Sequence, residues 1–491
     1  MCLRLLPLLI GLCGMALVRP AAALEAQGLA PEVERALQRE HVPLEAVSVL
    51  VQEVGSGRTR VTLNANRPVN PASLAKLLTT YAALDQLGPA FTWKTPVWLN
   101  GRLQDGVLEG NVHLQGRGDP KLTLERLWLL VQRLRRMGVA EIRGDFVLDQ
   151  SAFAVPEAST ADFDNEPLRP YNVRPQALLF NLSAVLYTFT PDAARGVALV
   201  SAEPALKGVQ VDATVPLAGG PCSDWRGALK ATPGDAQRMR FAGSYPLACG
   251  ERVWPLAYPD ARLYASRLLA TLWHEAGGRL AGSVREGPAP EGVKPSFELS
   301  SPPLAEVVRD INKYSNNVMA QQLLLTLALQ SPGATRATPE AGREALRQWL
   351  SQRLGESPES LQGVVIDNGS GLSRETRVSA ALLARVLQAA WAGPVMSELM
   401  ASLPVNGQDG TLRRALSSAG MAHLKTGSLR DVAGVAGYVL GASGKRYVLV
   451  AIVNHPNANA AKPALDALVQ WTIDDNGRAQ RPAEPTRRTA Q

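Results

Sequence analysis

The sequence predicts an α/β fold in which helices pack on an antiparallel sheet and a long, mostly β insertion interrupts the chain. Three observations carry this reading. Residues 46–64, AVSVLVQEVGSGRTRVTLN, form two alternating apolar runs around Gly55, Ser56 and Gly57, a hairpin pattern. Near the other end, strand-like runs at about 421–426, 432–440 and 446–453 are followed by helical periodicity at 462–473. Between these regions, residues 151–260 are rich in Pro, Gly and short apolar runs and show little helical periodicity.

Each element has its own signal. Asn70 and Pro71 introduce a helix over about 73–87, and Gly88 stops it where a left-handed C-terminal residue is needed. Residues 97–119 read as short strands and turns, 123–137 as a helix, and IRGDFVLD as a strand. Helical pattern returns at 260–276, and GPAPEGVKP at about 287–295 marks a boundary. Further helices are expected at about 303–330, 340–354 and 379–391. The expected division is 24–95 with 291–478 for the helix-and-sheet domain, and 96–290 for the insertion, which would hold any disulfide.

The termini bear on compartment. Arg4, the apolar stretch LLPLLIGLCGMALV and the small residues Ala21, Ala22 and Ala23 make a secretory signal, with cleavage expected near Ala23. The stretch is too short for a comfortable transmembrane helix. Residues 479–491, rich in Arg, Pro and Glu, are expected to be a disordered tail. Removing residues 1–23 takes away Arg4 and Arg19 and no acid, so the formal charge falls from +7 to +5. That excess is mild and scattered, which argues against a nucleic-acid partner. Cys2 and Cys13 leave with the signal. Cys222 and Cys249 remain, and two cysteines in an oxidising compartment read as one structural disulfide.

Absences narrow the chemistry. The five histidines form no H-E-x-x-H or clustered pattern, so a zinc enzyme is poorly supported. No G-x-S-x-G elbow, P-loop or dinucleotide G-x-G-x-x-G occurs, and no metal or cofactor is expected. What stands out is PASLAKLLTTYAAL, in which Lys76 is the one basic residue of an apolar helical run and follows Ser73 by three positions. Residues at i and i+3 share a helix face about 5–6 Å apart. A desolvated lysine has a lowered pKa, so its neutral amine can take the serine proton. Free N–H groups at the helix start favour developing negative charge. Alone, S-x-x-K is a weak signal, and a capping serine beside a snorkelling lysine is the simpler reading of it.

Two further patterns bear on that choice. NKYSNNVMAQQLLL sets Ser315 and Asn317 in S-x-N spacing at the entry to a helix, and HLKTGSLRDVAGVAGYV sets Lys425, Thr426 and Gly427 on a strand. In order, S-x-x-K, S-x-N and K-T-G resemble the penicilloyl-serine transferase superfamily of penicillin-binding proteins and serine β-lactamases. GRGDPKLT, PYNVRPQAL, DNGSGLSRETRVS and SLPVNGQDGTLRRAL are similar to stretches of the class C low-molecular-mass penicillin-binding proteins, which are D-alanyl-D-alanine carboxypeptidase/endopeptidases. The resemblance runs from about residue 30 to residue 475.

The resemblance implies a β-lactamase/transpeptidase-like domain and a peptidoglycan stem peptide as substrate, with β-lactams as inhibitors. Ser73 would attack the carbonyl between two D-alanines, Lys76 would take its proton, and Ser315 would relay a proton to the leaving amine. Asn317 would hold the substrate backbone. Lys425 and Thr426 would bind the leaving carboxylate, and Gly427 would keep the strand open to substrate. The backbone N–H groups of Ser73 and Ser428 would form the oxyanion hole. Ser428 stands where relatives often carry threonine. Asp162, Asp164 and Glu166 would attract a cationic diamino-acid side chain. A β-lactamase is the nearest alternative, but no E-x-x-L-N pattern occurs and the insertion is large. A catalytically idle wall-binding scaffold is the other, and it predicts damaged motifs where all six polar motif residues stand.

Overall fold

The computed structural model describes residues 28–475 apart from 234–236, 356 and 358–360. The expected signal and tail lie outside these residues. Five strands build the sheet that carries the motifs: β1 (Val47–Glu53), β2 (Thr59–Leu63), β3 (Ala422–Leu429), β4 (Val432–Leu440) and β5 (Arg446–Asn454). They pair in the order β3-β4-β5-β1-β2, antiparallel throughout. The first and last parts of the chain therefore share one sheet, with Val49 opposite Ala451 at its centre.

Near-continuous apolar sequence in β4 and β5 follows from burial on both faces. One face packs under helices Lys76–Leu87, Leu304–Tyr314, Asn317–Leu329 and Ala380–Trp391, with Leu77, Leu78, Val308 and Leu383 in the shared core. The other face is covered by helices Pro31–Arg39 and Lys462–Asp474, through Leu37, Leu449, Leu468 and Val469.

The intervening segment is mostly β, with a separate core around Leu114, Leu130, Phe189, Tyr245 and Leu268. Strand Phe297–Ser300 runs antiparallel to Lys94–Gln104, pairing Ser300 with Lys94. By strand pairing the segment thus runs to Ser300, beyond the boundary read near 287–295. Cys222 and Cys249 are joined in a disulfide with Cα atoms 4.8 Å apart. No described helix is long and apolar enough to cross a membrane.

Two helices differ from the sequence expectation. The one read from Ser73 begins as a 3₁₀ turn, Ala72–Ala75, and becomes α-helical at Lys76. The helix read at 303–330 is two helices, because Ser315 adopts the left-handed conformation with φ 56° and breaks the run. The Asn316 side chain then accepts from Met319 N and caps the second helix.

Candidate active site

The turn that presents Ser73 is pinned from several directions. Asn70 Oδ1 accepts from Ala72 N at 2.9 Å, and Asn70 Nδ2 donates to Ser373 O at 3.0 Å. Asn454, at the end of β5, accepts from Asn70 N and donates to Asn70 O, both at 2.9 Å. These bonds hold Ala72 at φ 47°, a conformation an alanine seldom adopts and that costs about 1–3 kcal/mol. On one side, a Cβ on Gly371, itself at φ 75°, would overlap Ala72 O. On the other, a Cβ on Gly427 would stand 2.7 Å from Pro71 O. Gly427 is thus needed on the inner face of its strand, where the nucleophile turn comes close.

Lys76 points back to Ser73. Its Nζ donates to Ser73 Oγ at 2.9 Å, Asn317 Oδ1 at 2.6 Å and Ser370 O at 2.5 Å. The side chain is fully buried. Desolvation, and then the charge of Lys425, hold its pKa well below the ordinary lysine range. A neutral amine at this position has a lone pair to offer the Ser73 proton. Asn317 spends its amide oxygen on Lys76, which leaves its N–H groups for a ligand.

Lys425 is, with Lys76, one of two completely buried lysines among the described residues, and desolvation pushes its pKa down to about 7. Its Nζ donates to Ser315 Oγ at 2.9 Å and to Thr426 O at 2.7 Å. Thr426 Oγ1 lies 2.7 Å from Thr411 Oγ1, and Ser428 Oγ lies 2.8 Å from Asn459 Oδ1. Strand β3 is an edge of the sheet, so an extended peptide can add along it.

These groups meet in a cleft of about 840 Å³ whose lining includes Ser73, Ser315, Asn317 and Ser428. Opposite walls come from the intervening segment, among them Asp164, Tyr171 and Leu186. Of the three acids singled out in the sequence, only Asp164 reaches this cleft. It accepts from Tyr171 Oη and Asn172 Nδ2, each at 2.8 Å. Asp162 is turned to Arg174 at 3.5 Å and Glu166 to Arg169 at 3.4 Å. Arg374 also lines the cleft and lies over the Phe163 ring at 5.0 Å. The disulfide cysteines belong to the separate core of the intervening segment.

Sequence reasoning assigned no part to Ser370, Gly371, Asn454, Thr411 or Asn459. DNGSG was noticed as a pattern, yet what it supplies to Lys76 is a main-chain carbonyl, which has no side-chain signature.

Comparison with known proteins agrees along nearly the whole described chain. A D-alanyl-D-alanine carboxypeptidase of Actinomadura sp. (strain R39) is 28% identical over 462 residues, 88% of this chain and 82% of that protein. D-alanyl-D-alanine carboxypeptidase DacB of Haemophilus influenzae is 25% identical over 416 residues, 83% and 85% of the two. The crystal structure of penicillin binding protein 4 from H. influenzae superposes with a TM-score of 0.73 at 23% identity, covering 90% of this chain and all of that one, so the fold is shared. With residues 29–474 matched by the family model, the chain belongs to the D-Ala-D-Ala carboxypeptidase 3 (S13) family.

Proposed function

We propose that this protein is a penicillin-sensitive serine D,D-peptidase that acts on peptidoglycan stem peptides through an acyl-enzyme on Ser73. It removes the terminal D-alanine or cuts D,D-cross-links. The carrying observation is the buried Lys76 amine, its pKa held down by desolvation, 2.9 Å from Ser73 Oγ in a cleft that also holds Ser315 and Asn317. Lys76 takes the Ser73 proton as Oγ bonds to the carbonyl carbon between the two D-residues. The backbone N–H groups of Ser73 and Ser428 receive the oxyanion, each worth about 3–4 kcal/mol. Asn317 holds the peptide backbone. As the C–N bond breaks, Ser315 relays a proton to the leaving amine, giving its own and taking back the one Lys76 carries, while Lys425 donates to Ser315 Oγ in support. Lys425 and Thr426 hold the leaving carboxylate. Water then hydrolyses the ester and frees Ser73.

Specificity for the donor stem rests on Asp164, placed to meet the ammonium of a diamino-acid side chain. Asp164→Asn should narrow the preference for a free over an acylated side-chain amine, and an unchanged preference would remove this assignment. The same reading puts the mature protein in the periplasm, supported by the signal-like residues 1–23.

The deciding experiment is intact-protein mass after brief exposure to benzylpenicillin, wild type beside Ser73→Ala. A stable adduct on wild type alone is expected. Rapid drug turnover without an adduct would mean a β-lactamase, and neither adduct nor turnover an idle scaffold.

A further inference from the structure

Two hydroxyls on β3 are within the K-T-G-S stretch, and their hydrogen-bond bookkeeping differs. Asn459 gives the protons of its amide nitrogen to Leu429 O and Arg430 O, at 2.7 and 2.9 Å. Its oxygen is an acceptor only, so across the 2.8 Å contact the Ser428 hydroxyl is the donor. With its proton committed, Ser428 Oγ turns lone pairs, not a proton, toward an anion. Thr426 is in the opposite position. Its partner at 2.7 Å, Thr411, is also a hydroxyl, and either proton can occupy the bond between them. The pair has two protons for one bond, so one is free.

We infer that Thr411 is a positioning residue for recognition of the substrate's terminal carboxylate. It donates to Thr426 Oγ1 and thereby releases the Thr426 proton to the anion. The inference deepens the D,D-peptidase reading and rests on it.

Thr411 is held for this task by contacts that reach the S-x-N turn. Lys313, two residues before Ser315 and 4% exposed, donates through Nζ to Asp409 Oδ2 at 2.6 Å. Asp409 Oδ1 accepts from Val405 N at 2.8 Å, which shapes the loop. Gly410 follows at φ 55°, and a Cβ there would stand 2.6 Å from Lys313 O. On its far side the loop is pinned to β3 by Leu424 N donating to Pro404 O at 2.9 Å. The ion pair ties the loop to the turn with Ser315, the main-chain bond ties it to the strand with Thr426, and Thr411 lies in the loop so held.

The test uses two stem peptides identical except for a terminal D-alanine acid or carboxamide. The ratio of their kcat/KM values is measured for wild type, Thr411→Val and Thr411→Ser. Thr411→Val, nearly isosteric, should lower the acid-over-amide ratio about tenfold, the scale of a hydrogen bond to a charged group. The loss should fall mainly in KM for the acid, and Thr411→Ser should restore the ratio. An unchanged ratio in Thr411→Val overturns the inference, as does an equal loss on both peptides, which marks a purely structural role. A wild type that cleaves neither peptide and takes no penicilloyl adduct removes the peptidase reading itself, and this inference with it.

Discussion

Around Phe189, in the intervening segment, the rings of Trp225, Phe241, Tyr245 and Trp254 pack at centroid distances of 5.1–6.5 Å. Around Ser73, the catalytic half instead buries two lysines completely, and neither forms an ion pair among the described residues. The inserted core spends burial on apolar contact, which stabilises directly. A carboxylate buried near the edge of that segment, Asp119, is matched by Arg126 at 2.6 Å. The catalytic half leaves its two amines to neutral acceptors, and desolvation moves their proton affinities rather than being offset by a counter-charge. Reactivity and ordinary stability are therefore drawn from different parts of one chain.

The largest expected effect tests the reactive half. Lys76→Ala should slow acylation by benzylpenicillin about 10²–10⁴-fold, the range for losing a positioned general base. Its thermal midpoint should not fall, since a desolvated amine goes with it. Normal acylation by this variant, read by mass, would show that the unpaired lysine is not the base.

Next in size is a pH effect. On the proposed reading Lys425 holds a carboxylate, which it does best as an ammonium, and desolvation pushes its pKa down to about 7. Peptidase kcat/KM should therefore fall above about pH 7, and Lys425→Arg should move that limb upward. Stability should run the other way. Between about pH 7 and the ordinary value of 10.5, the unfolded chain binds more protons than the folded one, so stability rises with pH. A Lys425→Met protein should lose its share of that slope in denaturant titrations at several pH values.

The smallest effect on chemistry should come from the inserted core. Replacing Cys222 and Cys249 together by alanine opens a cross-link of sequence separation 27, worth about 3.5 kcal/mol in the chain-entropy view. Acylation should stay within about twofold while the denaturation midpoint drops. A large loss of acylation would mean that the two halves are less separable than their packing indicates.

Much of this was legible in the sequence. The hairpin at 46–64, the long helices and the three terminal strands follow from apolar period and turn residues, which act locally. Helices Pro31–Arg39 and Met396–Ser402 were not read. The break at Ser315 was legible only in part. The S-x-N spacing puts Ser315 and Asn317 at a helix entry, yet the sequence predicts one helix over about 303–330. The apolar period continues through Ile311, Val318 and Leu325, and only the backbone conformation of one residue interrupts it. In the site, the spacing of Ser73, Lys76, Ser315, Asn317, Lys425 and Thr426 announced itself. The carbonyl of Ser370 did not, because it reaches Lys76 across 294 residues of chain and any residue type carries a carbonyl. Thr411 and Asn459 hid for a related reason: each acts on a neighbour's hydroxyl, and a lone hydroxyl or amide in a loop has many uses.

The pairing of Lys94 with Ser300 has an architectural consequence. Two residues separated by 206 positions stand side by side as if they flanked a hairpin turn, and Lys94 Nζ bonds Ser300 Oγ at 2.6 Å. Along the chain, then, everything between them is one excursion from the five-stranded sheet, leaving and returning at this pair and docking again on helix Asn317–Leu329 and on Ala337 through Phe153, Val173 and Ala177. Material can be lengthened, trimmed or exchanged beyond that pair while its two ends stay in register. A cleft wall built on such an excursion can be remodelled without re-threading the sheet on which the Ser73 turn rests.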